Sequence, residues 1–194
     1  MLCAALVILS CGAGARTADY WVAENGSSYH AEVTVELTEE YMWWELGLLG
    51  ERIPITPENV TLRSNESSCN PCPFNVPSPN RITFSRGNYT VGFDSRIRDN
   101  HILTEFEEPT DVRVVLPPPF DVRNPLLGTI SSGGVAVERA NGSVEVRWNE
   151  TQYIEARFYD PFRETLLTSF FTFWGVIAVV LLLPFLLMRR QRRG

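Results

Sequence analysis

Residues 166–188 read LLTSFFTFWGVIAVVLLLPFLLM and contain no charged side chain. As a helix rising 1.5 Å per residue, this stretch slightly exceeds the roughly 30 Å hydrocarbon core of a bilayer. A core helix of a globular protein keeps a polar stripe, whereas the polar residues here all lie near the start: Thr168, Ser169 and Thr172. The stretch therefore predicts one transmembrane α-helix in contact with the lipid bilayer.

Four arginines follow the apolar stretch closely: Arg189, Arg190, Arg192 and Arg193. Cationic residues next to a membrane span tend to stay on the cytoplasmic side. The pattern predicts a single-pass, type I protein of the cell membrane. Residues 189–194 form its basic cytoplasmic tail, and everything before residue 163 lies outside.

The first fifteen residues, MLCAALVILSCGAGA, predict a signal peptide over 1–15. Leu2–Leu9 supply the apolar region and Ala13-Gly14-Ala15 an A-x-A cleavage site, although no basic residue precedes them. An uncleaved anchor is a weaker alternative because the run is short for a span. A lipoprotein acylated at Cys11 is weaker too, because the C-terminal anchor would make it redundant. Residues 16–162 then form an extracellular domain of ordinary size.

The charge is distributed unevenly along the chain, whose net value is −6 with 17 arginines and no lysine. Between Thr17 and Phe162 there are 22 acidic residues and 11 arginines, which gives −11 for the predicted outer part. An acidic surface without a basic stripe is unsuited to the phosphate backbone of nucleic acids. The sequence therefore excludes a nucleic-acid partner for this domain.

Six N-x-[ST] sequons lie in the predicted outer part, whereas the composition would give about 1.5 by chance. Their asparagines are Asn25, Asn59, Asn65, Asn88, Asn141 and Asn149. This excess predicts an N-glycosylated surface. Asn88 is the site expected to be poorly accessible, because it lies between two predicted strands.

Two cysteines remain once the predicted signal peptide is removed: Cys69 and Cys72, in the run S-C-N-P-C-P. An oxidising exterior favours a structural disulfide between them. The alternative is the active site of a thiol–disulfide oxidoreductase, which also uses C-x-x-C. Such a motif opens a helix, and the four surrounding prolines oppose a helix here.

Alternating apolar residues dominate the outer part and predict β-strands. Ala31, Val33, Val35 and Leu37 alternate with polar residues, the pattern of a strand with one buried face. Two hairpins are expected, one over 82–93 with its turn at 86–88 and one turning at Asn141-Gly142. Further strands are predicted at 20–23, 60–62, 102–106, 112–116 and 152–158.

The G-x-Y-x-V run at Gly87, Asn88, Tyr89, Thr90 and Val91 resembles the last-strand signature of immunoglobulin-like and prealbumin-like surface modules. The resemblance implies an immunoglobulin-like or prealbumin-like β-sandwich for this all-β ectodomain. Pro117-Pro118-Pro119 is the clearest break, so a boundary between two β units near 117–119 is an alternative. The aromatic segment 39–46 is expected in the core rather than in an exposed patch.

Motifs of enzyme chemistry are missing from the sequence: G-x-S-x-G, H-E-x-x-H, the P-loop and G-x-G-x-x-G. His30 and His101 are isolated, and His30 falls on the polar face of its strand. A calcium site built from Asp94, Asp99, Asn100 and Asp111 is less favoured than solvated loops. We therefore expect no catalytic residue, no metal and no cofactor.

The arrangement of signal peptide, acidic glycosylated domain and single span resembles small archaeal cell-surface proteins of no assigned activity. That resemblance rests on architecture and carries no functional residue over. Together with the missing catalytic motifs, it leads to the hypothesis of a binding or structural module of the cell envelope, with another envelope protein as partner. The alternative hypothesis is an extracytoplasmic thiol–disulfide oxidoreductase that uses Cys69 and Cys72.

Overall fold

The computed structural model describes residues 16–47, 50–65 and 69–191, with side chains as far as Leu183. The predicted signal peptide lies outside this range. Eleven strands and one helix occur in the described residues. They are β1 (Thr17–Val22), β2 (Ser28–Met42), β3 (Trp44–Leu46), β4 (Arg52–Pro54), β5 (Glu58–Ser64), β6 (Asn75–Ser78), β7 (Arg81–Arg96), β8 (His101–Leu116), β9 (Thr129–Ile130), β10 (Val135–Glu138), β11 (Val144–Arg157) and α1 (Pro161–Gln191).

Nine of these strands belong to one sheet, whose main path runs β10-β11-β8-β1-β2-β7-β5. In addition, β6 pairs with β7 and β9 with β11, while β3 and β4 form a separate pair. The neighbours are antiparallel except β1 and β8, which run parallel. The prediction of a mostly β structure followed by one apolar helix is confirmed.

The ribbon formed by β2 and β7 folds over on itself. Ala31 pairs with Phe93, and Tyr41 lies ten residues further along β2, about 33 Å away if the strand were straight. Nevertheless the rings of Tyr41 and Phe93 are only 6.3 Å apart. The fold occurs at a bulge where Leu37 has φ 51° and its N–H donates to Asn88 Oδ1 at 2.9 Å.

The ribbon formed by β8 and β11 bends in the same way. Tyr20 of β1 pairs with Val114 of β8, yet its side chain is hydrogen-bonded to Thr104, ten residues earlier on β8. The β8–β11 ladder changes register between Trp148 and Tyr153, which is where the bend occurs. The distal halves of both ribbons therefore return as a second layer over the first.

One expected hairpin is wrong and the other is confirmed. Residues 82–93 lie within the single strand β7, because Gly87 continues the ladder opposite Thr38 and only bends it. Likewise, the strands expected at 102–106 and 112–116 are parts of β8. The turn between β10 and β11 is as expected, with Gly142 at φ 81° and Arg139 N bonded to Ser143 O at 2.8 Å.

The alternation predicted along β2 is correct up to the bulge. Ala31, Val33 and Val35 are buried, but Leu37 is 66% exposed because the bulge turns it to the outer side. The strands on either side of 117–119 belong to one sheet, since β11 pairs with β8 along almost its whole length.

Candidate functional site

The β-rich domain and α1 are joined without a linker. Strand β11 ends at Arg157 and α1 begins at Pro161. Between them, Phe158 is fully buried and its ring lies 5.1 Å from that of Phe120. Tyr159 exchanges two backbone hydrogen bonds with Asp121, at 2.9 and 3.0 Å. The chain is thus held by the domain until two residues before the helix.

The first turn of α1 is capped by its own sequence. Asp160 Oδ1 accepts a hydrogen bond from the N–H of Arg163 at 2.9 Å, as an N-cap residue does. Pro161 occupies the first helical position, where its missing N–H leaves no helical hydrogen bond unmade. The helix therefore begins at a defined residue next to the sheet.

Helix α1 is long and apolar enough to cross a membrane by length and composition. The most apolar window of 18 residues within 161–183 has a mean hydropathy of 2.4, and none of its residues is buried by the domain. The hydroxyls of Thr168 and Thr172 donate to the carbonyls of Glu164 and Thr168, at 3.0 and 2.8 Å. These hydroxyls therefore need no water, as an apolar surrounding requires.

The predicted span 166–188 lies inside α1, and Arg189 and Arg190 belong to its last turn. Arg192 and Arg193 lie outside the described residues. The orientation that these arginines predict stays a prediction.

A cavity of about 230 Å³ lies between the two layers. Its lining includes Arg16, immediately before β1, and Glu108, whose side chains form an ion pair of 2.8 Å. Among the described residues, β2 pairs with β7 from Val35 onward. In the same region, β8 pairs with β11 up to Thr110. Strands β2 and β8 are therefore not paired with each other along the cavity, and β3 packs against β8 beside the gap between them.

Aromatic rings form the inner wall of this cavity: Tyr20, Tyr29, Tyr41, Trp43 and Phe93. Burial raises the pKa of Tyr29 to about 12, and burial also raises the pKa of Tyr20 and of Tyr41. All three phenols are consequently neutral near pH 7. The lining also carries four carboxylates, on Glu40, Glu105, Glu107 and Glu108, of which the first, second and fourth are ion-paired with Arg81, Arg52 and Arg16. The wall thus offers ring faces and neutral hydroxyls beneath an acidic rim.

The aromatic segment 39–46 supplies part of this wall. Trp43 is 3% exposed and packs edge-on against Tyr41 and Phe93, at 5.2 and 5.6 Å between ring centroids. Trp44 is half-buried beneath the guanidinium of Arg52, 4.6 Å from its ring. The prediction that this segment belongs to the core is confirmed for Trp43.

Cys69 and Cys72 lie within bonding distance, with their Cα atoms 5.0 Å apart. They occupy the loop between β5 and β6, where the N–H of Cys72 donates to Leu62 O at 2.7 Å. Cys72 is 5% exposed. The pair therefore closes a loop against the edge of the sheet and does not open a helix.

Replacing both cysteines by serine is expected to lower the melting temperature by a few degrees without changing the fold. The closed loop of about four residues removes only about 1.9 kcal/mol of chain entropy from the unfolded state. Thermal unfolding of the Cys69→Ser/Cys72→Ser variant, followed by circular dichroism, measures this. Complete unfolding would contradict it and would show that the pair holds a larger assembly.

The asparagines of the six sequons differ in what their side chains contact. Five are exposed and Asn88 is half-buried, its Oδ1 bonded to the bulge of β2. Asn25 and Asn141 occupy turns, and each accepts hydrogen bonds from the backbone and hydroxyl of its own sequon serine, at 2.7–3.1 Å. Asn59 Nδ2, by contrast, donates to Asp94 at 2.7 Å.

We expect N-linked glycan at Asn25 and Asn141 and none at Asn88. A glycan needs room around Nδ2, which the exposed turns provide and the half-buried strand does not. Glycopeptide mass spectrometry of protein from its native membrane measures the occupancy of each site. Full occupancy at Asn88 with empty turns would contradict the expectation.

One polar cluster on the outer face of the sheet was not predicted. His30 Nδ1 and Asp94 Oδ1 are 2.7 Å apart, and the imidazole stacks on Trp21. Although partial burial raises the pKa of Asp94, hydrogen bonds from Asn59 and His30 bring it below its usual value. Asp111, in contrast, accepts from the N–H of Glu150. The described residues contain no group of three or more His, Cys, Asp or Glu side chains placed to hold a metal ion.

These features define a class of protein in which a β-rich domain stands directly on one apolar helix. Residues 15–193 match a family of unknown function, DUF5803, and the chain belongs to that family. The match includes both the sheet and α1. A comparison with curated proteins finds no match.

Proposed function

We propose that the protein is a membrane-anchored, N-glycosylated surface protein whose ectodomain serves as a binding or structural module of the cell envelope. The protein is type I, with its sheet outside and its arginine-rich end in the cytoplasm, as in the archaeal surface proteins that its architecture resembles. The two layers form a β-sandwich of the immunoglobulin-like or prealbumin-like kind. Its partner is another envelope protein.

The observation that carries this proposal is the junction between β11 and α1. A receptor domain that binds partners far from the membrane needs a flexible stalk. Here, the residues just before α1, Phe158 and Tyr159, are packed into the folded domain. The ectodomain therefore works close to the membrane surface, where its partners are other proteins of the same envelope.

The cavity between β2 and β8 is the surface that we assign to the partner. Its rim is acidic and the outer part of the chain has a net charge of −11, with 22 acidic residues against 11 arginines. Aromatic faces attract cationic groups, and more strongly when water is excluded. The partner segment expected there carries a basic or apolar side chain that enters the gap.

Affinity purification from gently solubilised membranes tests the proposal. Wild type is compared with Glu107→Arg at the cavity rim and with Glu24→Arg at the β1–β2 turn, a control with the same charge change on another exposed glutamate. We expect one envelope protein to accompany wild type and Glu24→Arg, and to be lost from Glu107→Arg. A solitary monomer in all three preparations would contradict the proposal.

Orientation is tested by protease applied to intact cells carrying a tag after Gly194. The ectodomain should be removed and the tagged fragment, containing α1, should be protected. A tag cut from the outside would contradict the type I assignment.

The alternative, thiol–disulfide exchange at Cys69 and Cys72, has less support. Among the described residues the pair lies on a loop and does not begin a helix, and Cys72 is almost fully buried. Catalysis of insulin reduction that disappears in Cys69→Ser would reverse this ranking.

A further inference from the structure

An exposed apolar turn lies at the end of the domain from which α1 departs. In residues 124–128, the N–H of Leu127 donates to Asn124 O at 3.0 Å and that of Leu126 to Asn124 Oδ1 at 3.1 Å. These bonds fix the turn with its apolar tip outward. Leu126 is 67% exposed, the largest value for any large apolar side chain described ahead of α1.

The same turn is bonded to the start of the anchor. The N–H of Asn124 donates to the hydroxyl of Tyr159 at 3.2 Å, and Asp121 exchanges backbone hydrogen bonds with Tyr159. Tyr159 lies two residues ahead of Pro161, where α1 begins. The position of the turn relative to the anchor is therefore set by direct contacts.

We propose that the turn 124–128 inserts into the headgroup region of the bilayer that α1 crosses, and so gives the ectodomain a second membrane contact. The proposal rests on the membrane anchoring proposed above. The polar interface extends about 5–8 Å beyond the hydrocarbon core on each side, so a turn bonded beside the top of the span lies within its reach. Unless the turn inserts, the apolar surface of Pro125 and Leu126 stays exposed to water. Insertion removes this surface from water, which is favourable.

Two membrane contacts restrict the orientation of the domain more than one contact does. A single helix leaves the domain free to rotate about the helix axis and to tilt with it, whereas a helix and an inserted turn define a plane. The opening of the cavity, near Arg16 and Glu108, is then held at a fixed angle to the membrane. The lipid surface thereby sets the direction from which a partner approaches the gap between β2 and β8.

Site-directed fluorescence tests the insertion in the full chain, with Cys3 and Cys11 replaced by serine. An environment-sensitive dye is attached to a single introduced cysteine: Leu126→Cys, Leu37→Cys or Phe171→Cys. Leu37 is the matched control because it is 66% exposed, close to the value for Leu126. It lies at the bulge that ends the first half of β2, not beside the start of α1. Phe171, within the apolar helix, reports on the anchor. The labelled proteins are reconstituted in phosphatidylcholine vesicles with and without spin-labelled lipid.

The dye at 126 is expected to emit at shorter wavelength in vesicles and to be quenched by spin-labelled lipid several times more than the dye at 37. Quenching at 171 with equal, weak quenching at 126 and 37 would overturn the inserted turn and leave the anchor standing. If the dye at 171 is not quenched either, the membrane anchoring itself fails. Equal, strong quenching at 126 and 37 would also overturn the proposal, because the whole domain would then be adsorbed without a preferred face.

Discussion

Replacing Phe158 by alanine is expected to lower the free energy of unfolding of the β-rich domain by about 3–5 kcal/mol. The phenyl ring is fully buried and meets Phe120 edge-on at 5.1 Å. Its removal leaves a void that the paired strands around it cannot close. A loss of about 3 kcal/mol corresponds to a melting temperature lower by roughly 6–12 °C in a domain of about 150 residues. Thermal unfolding in detergent, followed by near-ultraviolet circular dichroism, measures the shift.

Phe162→Ala is the matched control for this prediction. The same side chain is truncated only four residues later, but Phe162 is 68% exposed at the start of α1. We expect its melting temperature to stay within about a degree of wild type, since exposed substitutions usually change stability by less than about 0.5 kcal/mol. Equal shifts in both variants would contradict the prediction, because burial would then not account for the loss at Phe158.

Placing two arginines in α1, as Val176→Arg/Val180→Arg, is expected to release the protein from the membrane. Each arginine near the centre of a span opposes insertion by about 2.5–3.5 kcal/mol. The two positions lie one helical turn apart near the middle of the apolar stretch, so the two costs add. Alkaline carbonate extraction separates integral from peripheral protein. We expect wild type in the pellet and the variant in the supernatant or degraded.

Val135→Arg/Val137→Arg, on the edge strand β10, controls for exposure alone. Val135 and Val137 are 61% and 54% exposed, close to the 59% and 63% of Val176 and Val180. The two pairs match in side chain and exposure but lie in different elements, so the β10 variant should remain in the membrane pellet. Retention of both variants would contradict the transmembrane assignment of α1.

The sequence was most informative where one physical demand dominates. An uncharged stretch of this length has few uses other than a membrane span, and α1 contains it. Alternation along the first half of β2 likewise identified the buried face, with Ala31, Val33 and Val35 inward. The turn at Gly142 was recognisable because a positive φ strongly favours glycine.

The folding of the long ribbons could not be predicted from local pattern. Gly87 and Asn88 have the composition of a hairpin turn, yet the chain continues through them as strand β7. The strand continues here in pairing with a distant partner, β2, and the N–H of Leu37 in the bulge of β2 donates to Asn88 Oδ1. A pairing between residues 51 positions apart leaves no local signal.

The candidate site depends on the same distant contacts. Tyr20, Tyr41 and Phe93 are far apart in sequence and meet only because both ribbons fold back over β1. Their spacing follows no motif, so the sequence indicated a buried aromatic segment at 39–46 but no cavity. The contact between His30 and Asp94 could not be predicted for the same reason, since only the pairing of β2 with β7 brings the two side chains together.

The direct continuation of β11 into α1 has a mechanical consequence. Tension on α1 would be transmitted through three residues, 158–160, into a strand that pairs with β8 from Val144 to Arg157. Hydrogen bonds of an antiparallel ladder lie perpendicular to the strands, so a pull along β11 loads the bonds between the bend and the helix, at residues 153–157, together in shear. They would have to break as a group and not one after another. A force applied to α1 is therefore carried first by the part of this ladder that lies next to the helix.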